Sequence, residues 1–455
     1  MAAIAGIAAL NRKNQVDRML ERMAHRGGAG RLVRETGGVT LGIAWPPAQP
    51  RADRALLERA TVSDEVAAGQ FARAQAAGVT LTLARDPLGV APLYFGRTPA
   101  DELCFASEVK ALLAIEATAI RELPPGHTWQ NGALAEYYRL SQPEELEEGP
   151  PHQVAARLRR LLQASVERFA GRGVEFGAWL SGGLDSSVLA ALARPLTPVL
   201  HTFAAGLAGA PDLHYARLVA GHLHAEHHEL IVTLEDLLLA VPKVIFHLES
   251  FDALLVRSSL MNYLVSREAG RYVPAAFSGE GGDELFAGYE YLKALPLEQL
   301  PAELLDITGR LHNTALQRVD RSAAAGGIAP YVAFLDPDVV DYALRIPPGL
   351  KIRGGVEKWI LRQALEGALP EEVLKRPKAK FWQGAGVEDL LETYAGEHIG
   401  DAEFARHRRL PNGWLLNSKE ELFYYRAFRD QFGPLADLEW MGRTKGAPRA
   451  AEESV

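Results

Sequence analysis

Cysteine is nearly absent: Cys104 stands alone in 455 residues. A single thiol excludes an internal disulfide and suits a reducing compartment, so a cytoplasmic location is expected. Long runs of one charge are also missing. The formal net charge is only −8 over the whole chain. The one basic patch, Arg406-His407-Arg408-Arg409, reads as a solvated face, which argues against nucleic acid as a partner. No uninterrupted apolar run approaches the roughly 18 residues that a membrane-crossing helix needs. Met1 to Leu10 is apolar, but no basic residue precedes it and Arg12 and Lys13 follow. It is read as a first β-strand, not as a signal peptide, and no membrane is expected as a partner.

What is present is a soluble globular composition, 48% apolar and 23% charged, long enough for two or three domains. The chain is organised around Ala178-Trp179-Leu180-Ser181-Gly182-Gly183-Leu184-Asp185-Ser186-Ser187-Val188-Leu189. An apolar run, Val174 to Leu180, predicts a buried parallel strand, and Val188 to Ala193 predicts a helix. Between them, Gly182 and Gly183 allow a tight turn whose backbone N–H groups approach a ligand closely. Strand, glycine turn and helix N-terminus together form an anion site. Ser181 and Ser186 add hydroxyl donors, and Asp185 adds a carboxylate suited to Mg²⁺. No G-x-x-x-x-G-K-[ST] loop occurs near it.

A second stretch has the same logic. In Phe277-Ser278-Gly279-Glu280-Gly281-Gly282-Asp283-Glu284-Leu285-Phe286-Ala287-Gly288-Tyr289, glycines and acids follow an apolar approach. Backbone and carboxylates can then converge on a polyphosphate–metal complex. A third, Lys375-Arg376-Pro377-Lys378-Ala379-Lys380-Phe381-Trp382-Gln383-Gly384-Ala385-Gly386, is a basic, glycine-bearing segment able to fold over a site and stabilise negative charge.

The first stretch resembles the pyrophosphate loop of the ATP pyrophosphatases, which split ATP between its α and β phosphates. The second and third resemble the S-G-E-G-S-D-E-x-F-x-G-Y and R-x-K-x-x-F-x-x-G-x-G runs of asparagine synthetases. Further along, Glu357-Lys358-Trp359-Ile360-Leu361-Arg362 is similar to E-K-x-x-L-R, and Ser418 to Phe428 is similar to the family's C-terminal helix. The N-terminal part carries matching segments too. Arg85-Asp86-Pro87-Leu88-Gly89-Val90-Ala91-Pro92-Leu93-Tyr94, Phe105-Ala106-Ser107-Glu108-Val109-Lys110-Ala111-Leu112 and Leu123-Pro124-Pro125-Gly126-His127 resemble runs of the asparagine-synthetase type of glutamine amidotransferase domain.

The resemblance implies an α/β protein of two domains. Residues 1–140 would be a class-II glutamine-amidotransferase-like αββα sandwich. A linker at 141–153 would lead to a doubly wound ATP pyrophosphatase domain at 154–440, and 441–455 would be a disordered tail. ATP and Mg²⁺ are the implied cofactors. Ser181, Gly182, Gly183, Asp185, Ser186, Ser278 and Gly279 would bind the nucleotide, with Phe203 bordering the adenine or packing in the core. Asp185 and Asp283 would hold the metal, and Glu280 would take a proton from an attacking amine. Lys378 falls at the family's catalytic lysine, and Arg257, in Arg257-Ser258-Ser259, at its amino-acid-binding segment.

The departures are as informative. Family glutaminases attack with an N-terminal cysteine exposed by loss of the initiator Met. Here position 2 is Ala2, the H-R-G-P-D segment survives only as His25-Arg26-Gly27-Gly28-Ala29, and no N-G-E counterpart is visible. Cys104 reads as a packed apolar residue. A glutaminase fold without its nucleophile is expected. In the synthetase half, Leu254 replaces a threonine, and Ala329 and Tyr331 replace an acid and a guanidinium. Either the amino-acid pocket was rebuilt, or that charged pair was structural and went together. His214, His222, His224, His227 and His228 lack a cysteine partner or H-E-x-x-H spacing, so no metal centre is expected there.

The expected activity is activation of a small-molecule or peptide carboxylate as its acyl-adenylate and transfer to an amine, with AMP and pyrophosphate released. Ring closure within one substrate, as in β-lactam synthetases or lasso-peptide cyclases, is an alternative. A non-catalytic nucleotide-binding scaffold is another, and a homodimer is an option.

Overall fold

The computed structural model of the chain describes residues 2–46, 60–67, 69–78, 80–378, 384–387 and 389–444. The N-terminal half is two antiparallel sheets. Its strands are β1 (Ala3–Ile7), β2 (Gly30–Thr36), β3 (Val39–Trp45), β4 (Thr61–Ala67), β5 (Gln70–Ala77), β6 (Thr80–Arg85), β7 (Tyr94–Arg97), β8 (Leu103–Ala106), β9 (Thr118–Glu122), β10 (His127–Gln130) and β11 (Ala133–Glu136). One sheet runs β2-β3-β1-β8-β7-β9 and the other β11-β10-β6-β5-β4. The first strand expected from the apolar N-terminus is therefore β1, in the middle of its sheet.

β1 shows why it is apolar throughout. Successive side chains point to opposite faces. Ala2 and Ile4 enter the core between the sheets with Leu41, Ile43, Leu83 and Phe105. Ala3, Ala5 and Ile7 face the helix Lys13–Arg22 through Val16, Met19 and Leu20. Cys104 is a buried β8 residue, as its packed reading predicted, and burial pushes its thiol up to about 12.

A stretch free of helix and strand, 137–150, precedes the helix Pro151–Ala170. Pro151 opens that helix, where a missing N–H costs nothing. Beyond it lies a parallel sheet ordered β14-β13-β12-β15-β16 from β12 (Gly177–Trp179), β13 (His201–Gly206), β14 (Glu226–Ile231), β15 (Ala275–Phe277) and β16 (Ala329–Tyr331). The sheet is covered on both faces. Ala204 and Phe277 join one core with Leu158, Leu162 and Val188. Phe203, Ala205 and Ala276 join the other with Leu237, Val241, Leu260 and Met261. This is the doubly wound arrangement that the resemblance implied, with β12 leading into the glycine turn.

The second core continues into the helix Lys13–Arg22, so the two halves share apolar packing. A buried ionic cluster reinforces the seam. Arg26 reaches Glu108 and Asp320, and Arg321 reaches Glu108 at 3.2 Å and Glu249 at 3.1 Å. Glu249 also accepts the backbone N–H groups of Val109 and Lys110. Each buried charge thus has several partners, which buried ions require.

Residues 441–444, expected as part of the tail, are held by packing. Met441 is buried, Arg443 pairs with Glu421, and the Thr444 hydroxyl donates to Asp252 at 2.7 Å. These contacts tie down 441–444, and 445–455 lie outside the described residues. Among the described residues no helix is long and apolar enough to cross a membrane.

Candidate active site

The C-terminal ends of β12, β13 and β15 open into a cavity of about 910 Å³. Ligands of doubly wound sheets bind at this edge. Ser181, Gly183, Leu184, Asp185 and Ser186 form one wall. Gly182 turns the chain at φ +69°, where a Cβ would collide with Tyr215 and Ala216. Gly183 is the N-cap of the helix Leu184–Ala193 and offers no side-chain cap, so that helix's first N–H groups stay free for an anion. The serines set the turn. The Ser187 hydroxyl donates to the Gly183 carbonyl at 2.7 Å and the Ser186 hydroxyl does so at 3.1 Å, while Ser181 and Ser186 lie 3.2 Å apart.

The second acidic stretch packs directly on the first. A Cβ on Gly279 would stand 2.9 Å from the Cβ of Asp185, and one on Gly282 would run into the Asp185 carboxylate. The glycines of this stretch therefore let two backbones meet around one acid. Asp283 stands in the first turn of the short helix Gly282–Phe286, beside Asp185.

Two lysines close the cluster. Lys358 Nζ pairs with Asp185 Oδ2 and lies 2.5 Å from Asp283 Oδ1. Lys378 Nζ lies 2.5 Å from Asp283 Oδ2 and 3.9 Å from Asp185 Oδ2. Lys358 is buried and has φ +53°, a conformation lysine adopts at a cost and which clusters at functional sites. Burial pushes the Asp283 carboxyl up, but Lys358 and Lys378 outweigh it and hold the group well below the usual range. Asp185 goes the other way: burial raises it, Asp283 adds to the rise, and the lysines offset only part. Burial lowers Lys378, yet Asp283 and Asp185 more than reverse that and hold it charged.

The carboxylates fit a divalent cation. Asp185 Oδ1 is buried and has no hydrogen-bond partner among the described residues. Leaving a carboxylate oxygen so is costly unless something else satisfies it. Two convergent carboxylates are the oxygen donor set that Mg²⁺ takes.

Glu280 lies on the same cavity wall, gripped by Arg318 through both oxygens at 2.8 and 2.9 Å. Its neighbour Glu284 is buried. Burial and the charge of Asp283 push its carboxyl up to about 7, although the Tyr289 hydroxyl donates to it at 2.5 Å. Ser278, Gly279 and Phe203 also line the cavity, Phe203 from within the core.

Arg257 departs from its expected role. It turns away from the cavity, paired with Glu420 and, at 3.3 Å, with Glu392. The reason is helical phase: in Ala253–Ala269 the residues Leu254, Leu255, Ser258, Asn262 and Val265 face the cavity, and position 257 lies off that stripe. Ala329 and Tyr331 are not pocket residues either. Both are buried in β16, where Tyr331 packs 4.9 Å from Phe169 and 5.4 Å from Phe277. An acid and a guanidinium at these two positions would be a structural pair, and an aromatic contact stands in their place. Leu254, by contrast, does line the cavity.

The basic loop is anchored at its start. Arg376 pairs with Asp212 at 2.5 Å and lies 4.1 Å over Tyr215. Glu357 accepts the backbone N–H of Lys378 at 3.2 Å and pairs with Lys293 and Arg362. Residues 379–383 of that stretch lie outside the described residues. Lys358 and Arg318 are the site residues that reading the sequence left without a role. Lys358 stood inside a quoted segment, but Arg318 carried no signal at all.

Family models agree with this geometry. The asparagine synthase model matches residues 157–312 and 298–444, and a glutamine amidotransferase domain model matches residues 62–179. A probable glutamine-hydrolyzing asparagine synthetase of Schizosaccharomyces pombe is 37% identical over 389 residues, covering 77% of this chain and 69% of that protein. Asparagine synthetase B of Escherichia coli, also described as glutamine-hydrolyzing, is 34% identical over 376 residues, covering 78% and 67%. Among solved structures, NMN synthetase from Francisella tularensis overlays with a TM-score of 0.30 at 14% identity, over 64% of this chain and 99% of that one, too loosely to bear on function. With its two acid-bearing glycine turns folded around Lys358 and Lys378, the chain belongs to the asparagine synthase family of ATP-dependent carbon–nitrogen ligases.

Proposed function

We propose that this ligase joins an activated carboxylate to an amine without drawing ammonia from glutamine hydrolysed by its own N-terminal domain. The observation that carries the reading is the convergence of Asp185, Asp283, Lys358 and Lys378 at one wall of a cavity that Glu280 also lines. In the first half-reaction a substrate carboxylate oxygen attacks the α phosphorus of ATP and pyrophosphate leaves. Free N–H groups at the start of the helix Leu184–Ala193 hold the departing phosphates, and Lys358 and Lys378 offset their charge. Asp185 and Asp283 would hold Mg²⁺, which would neutralise phosphate charge and orient the nucleotide. In the second half-reaction an amine attacks the acyl carbon, passes its proton to a base, and AMP leaves. Glu280 is the carboxylate placed for that proton, and Arg318 fixes its orientation.

The loss of glutaminase chemistry is supported by the surroundings of Ala2. It is fully buried, it has a methyl group where the nucleophilic sulfur would be, and its N–H donates to Asp64 at 2.7 Å. Arg26, from the residual H-R-G segment, is committed to the seam between the halves.

The cavity favours a substrate larger than a free amino acid. It runs past Glu280 to Tyr291, Glu303, Ile307 and Arg310, and Leu254 removes a hydroxyl from its wall. That extension supports ring closure within one substrate as a second reading. The deciding experiment incubates the protein with ATP, Mg²⁺ and a panel of amino acids, β-amino acids and short peptides, and follows AMP and product mass. Loss of one water from a single substrate supports cyclisation. A product combining two substrates supports intermolecular coupling. No AMP with any member, in a preparation that binds ATP, would overturn the synthetase reading.

A further inference from the structure

A second group of metal-ligating side chains stands at the opposite end of the parallel sheet. β13 and β14 are paired in parallel register, with His201 opposite Glu226 and Phe203 opposite His228. Residues two apart on one strand share a face, as do register partners. His201, Glu226 and His228 therefore project to the same side, at the start of the two strands. Asp185 and Asp283 lie beyond the far, C-terminal ends of β12 and β15, so the two sites are separate.

Their donor atoms converge. His201 Nδ1 lies 3.0 Å from His228 Nε2 and 3.5 Å from Glu226 Oε2. One ligand atom from each residue falls within 4.8 Å of the others. Ligands at about 2.0–2.2 Å around a tetrahedral zinc stand roughly 3.3–3.5 Å apart. The 3.0 Å His201–His228 contact is a hydrogen bond slightly shorter than that spacing, and the 3.5 Å His201–Glu226 contact already matches it, so an ion would displace the shared proton and spread the two rings slightly.

The rings are held in place by packing. Tyr272 lies 3.9 Å from the His228 ring and Phe203 5.0 Å from it on a stacked plane. Glu226 is 63% exposed, which leaves a path for an ion and room for water as a fourth ligand.

We propose that His201, Glu226 and His228 form a binding site for a zinc-class divalent transition metal that staples the start of β14 to β13. His227, one residue away, points to the other face, where its Nδ1 is 2.9 Å from the Thr202 hydroxyl, and takes no part. Two imidazoles and one carboxylate with an open position are a donor set that zinc favours and that Mg²⁺, an oxygen-seeking ion, does not.

The test is calorimetric titration of the full chain, free of any affinity tag, with ZnCl₂ in the presence of excess Mg²⁺, together with thermal melting. One equivalent should bind and raise the melting temperature by several degrees. His228→Ala should weaken binding at least a hundredfold and remove the shift. Glu226→Gln, at an exposed position that leaves folding intact, should weaken it about tenfold. His222→Ala/His224→Ala, which removes two exposed histidines nearby, should bind as the wild type does, and so should Asp283→Asn at the other site. Absence of one-to-one binding to the wild type would overturn the proposal. Unchanged affinity in both His228→Ala and Glu226→Gln would overturn it as well.

Discussion

The ammonium of Lys358 lies 2.5 Å from Asp283 Oδ1, and it pairs at the same time with Asp185 across the two glycine turns. It therefore competes with a cation for the same oxygens. Removing it should have opposite effects on metal and on chemistry. In Lys358→Met the unbalanced carboxylates should bind Mg²⁺ more tightly in nucleotide-free protein, measured by calorimetry. Pyrophosphate release should fall about a hundredfold or more, the usual cost of losing one charge-stabilising group. If Mg²⁺ affinity is unchanged, the lysine does not stand where the metal binds.

The two carboxylates themselves should be indispensable to the first half-reaction. Asp185→Asn and Asp283→Asn should each abolish substrate-dependent pyrophosphate release while the far-ultraviolet circular dichroism stays native. Wild-type release by either variant at ordinary Mg²⁺ would remove that residue from the set of metal ligands.

The chemistry was legible in the sequence wherever it depends on backbone. A glycine that must admit a neighbour, as Gly279 and Gly282 admit Asp185, cannot be replaced without collision, so the turns keep their written pattern. The strand–turn–helix order followed from the same stretches, and the doubly wound sheet from the family resemblance they carry. What could not be read was direction. Arg257 looked like a pocket residue until helical phase turned it toward Glu420. Arg318 carried no signal until the helix Ala315–Ala325 brought it onto Glu280. Ala329 and Tyr331 left open a rebuilt pocket or a lost structural pair, and their place in a core strand favours the second. The pairing of His201 with His228 arises from strand register, which no local spacing records.

Glutamine should not be a nitrogen source for the isolated protein. Incubation with glutamine should give glutamate no faster than a boiled control. Ala2→Cys alone should not restore release, because Ala2 is packed in the sandwich core and Arg26 is held in the seam. Glutamate production by the unmodified chain would refute the loss of this activity.

A buried lysine offers a test of stability. Lys351 ends the short helix Pro348–Lys351 and is 3% exposed, and among the described residues no carboxylate pairs with it. Burial lowers its ammonium to about 7. Since the folded value lies below the unfolded one, near 10.4, the unfolded chain binds the proton more readily between them. Stability is then lost as pH falls from about 10 toward 7, and the penalty is complete below 7. Lys351→Met should raise the melting temperature by a few degrees at pH 6, with the gain shrinking toward pH 10. A gain independent of pH would show that the lysine is not paying a charge penalty.

The amide-forming half-reaction separates Glu280 from the metal cluster. An amine that attacks an acyl-adenylate gains positive charge, and a carboxylate at its side can take the proton as the bond forms. Glu280 has the position for this, with both oxygens fixed by Arg318 at 2.8 and 2.9 Å. Lys378, 2.5 Å from Asp283, belongs to the phosphate side and can also face the developing oxyanion. Glu280→Gln should therefore still form adenylate, trapped with hydroxylamine, and lose a hundredfold or more in amide formation. Arg318→Met should show the same split in weaker form, since it orients the base without touching the nucleotide phosphates. Lys378→Ala should lose both half-reactions. Amide formation at the native rate by Glu280→Gln would assign the proton transfer elsewhere, with Glu284, whose carboxyl is pushed up to about 7 in the same cavity, as the next group to replace.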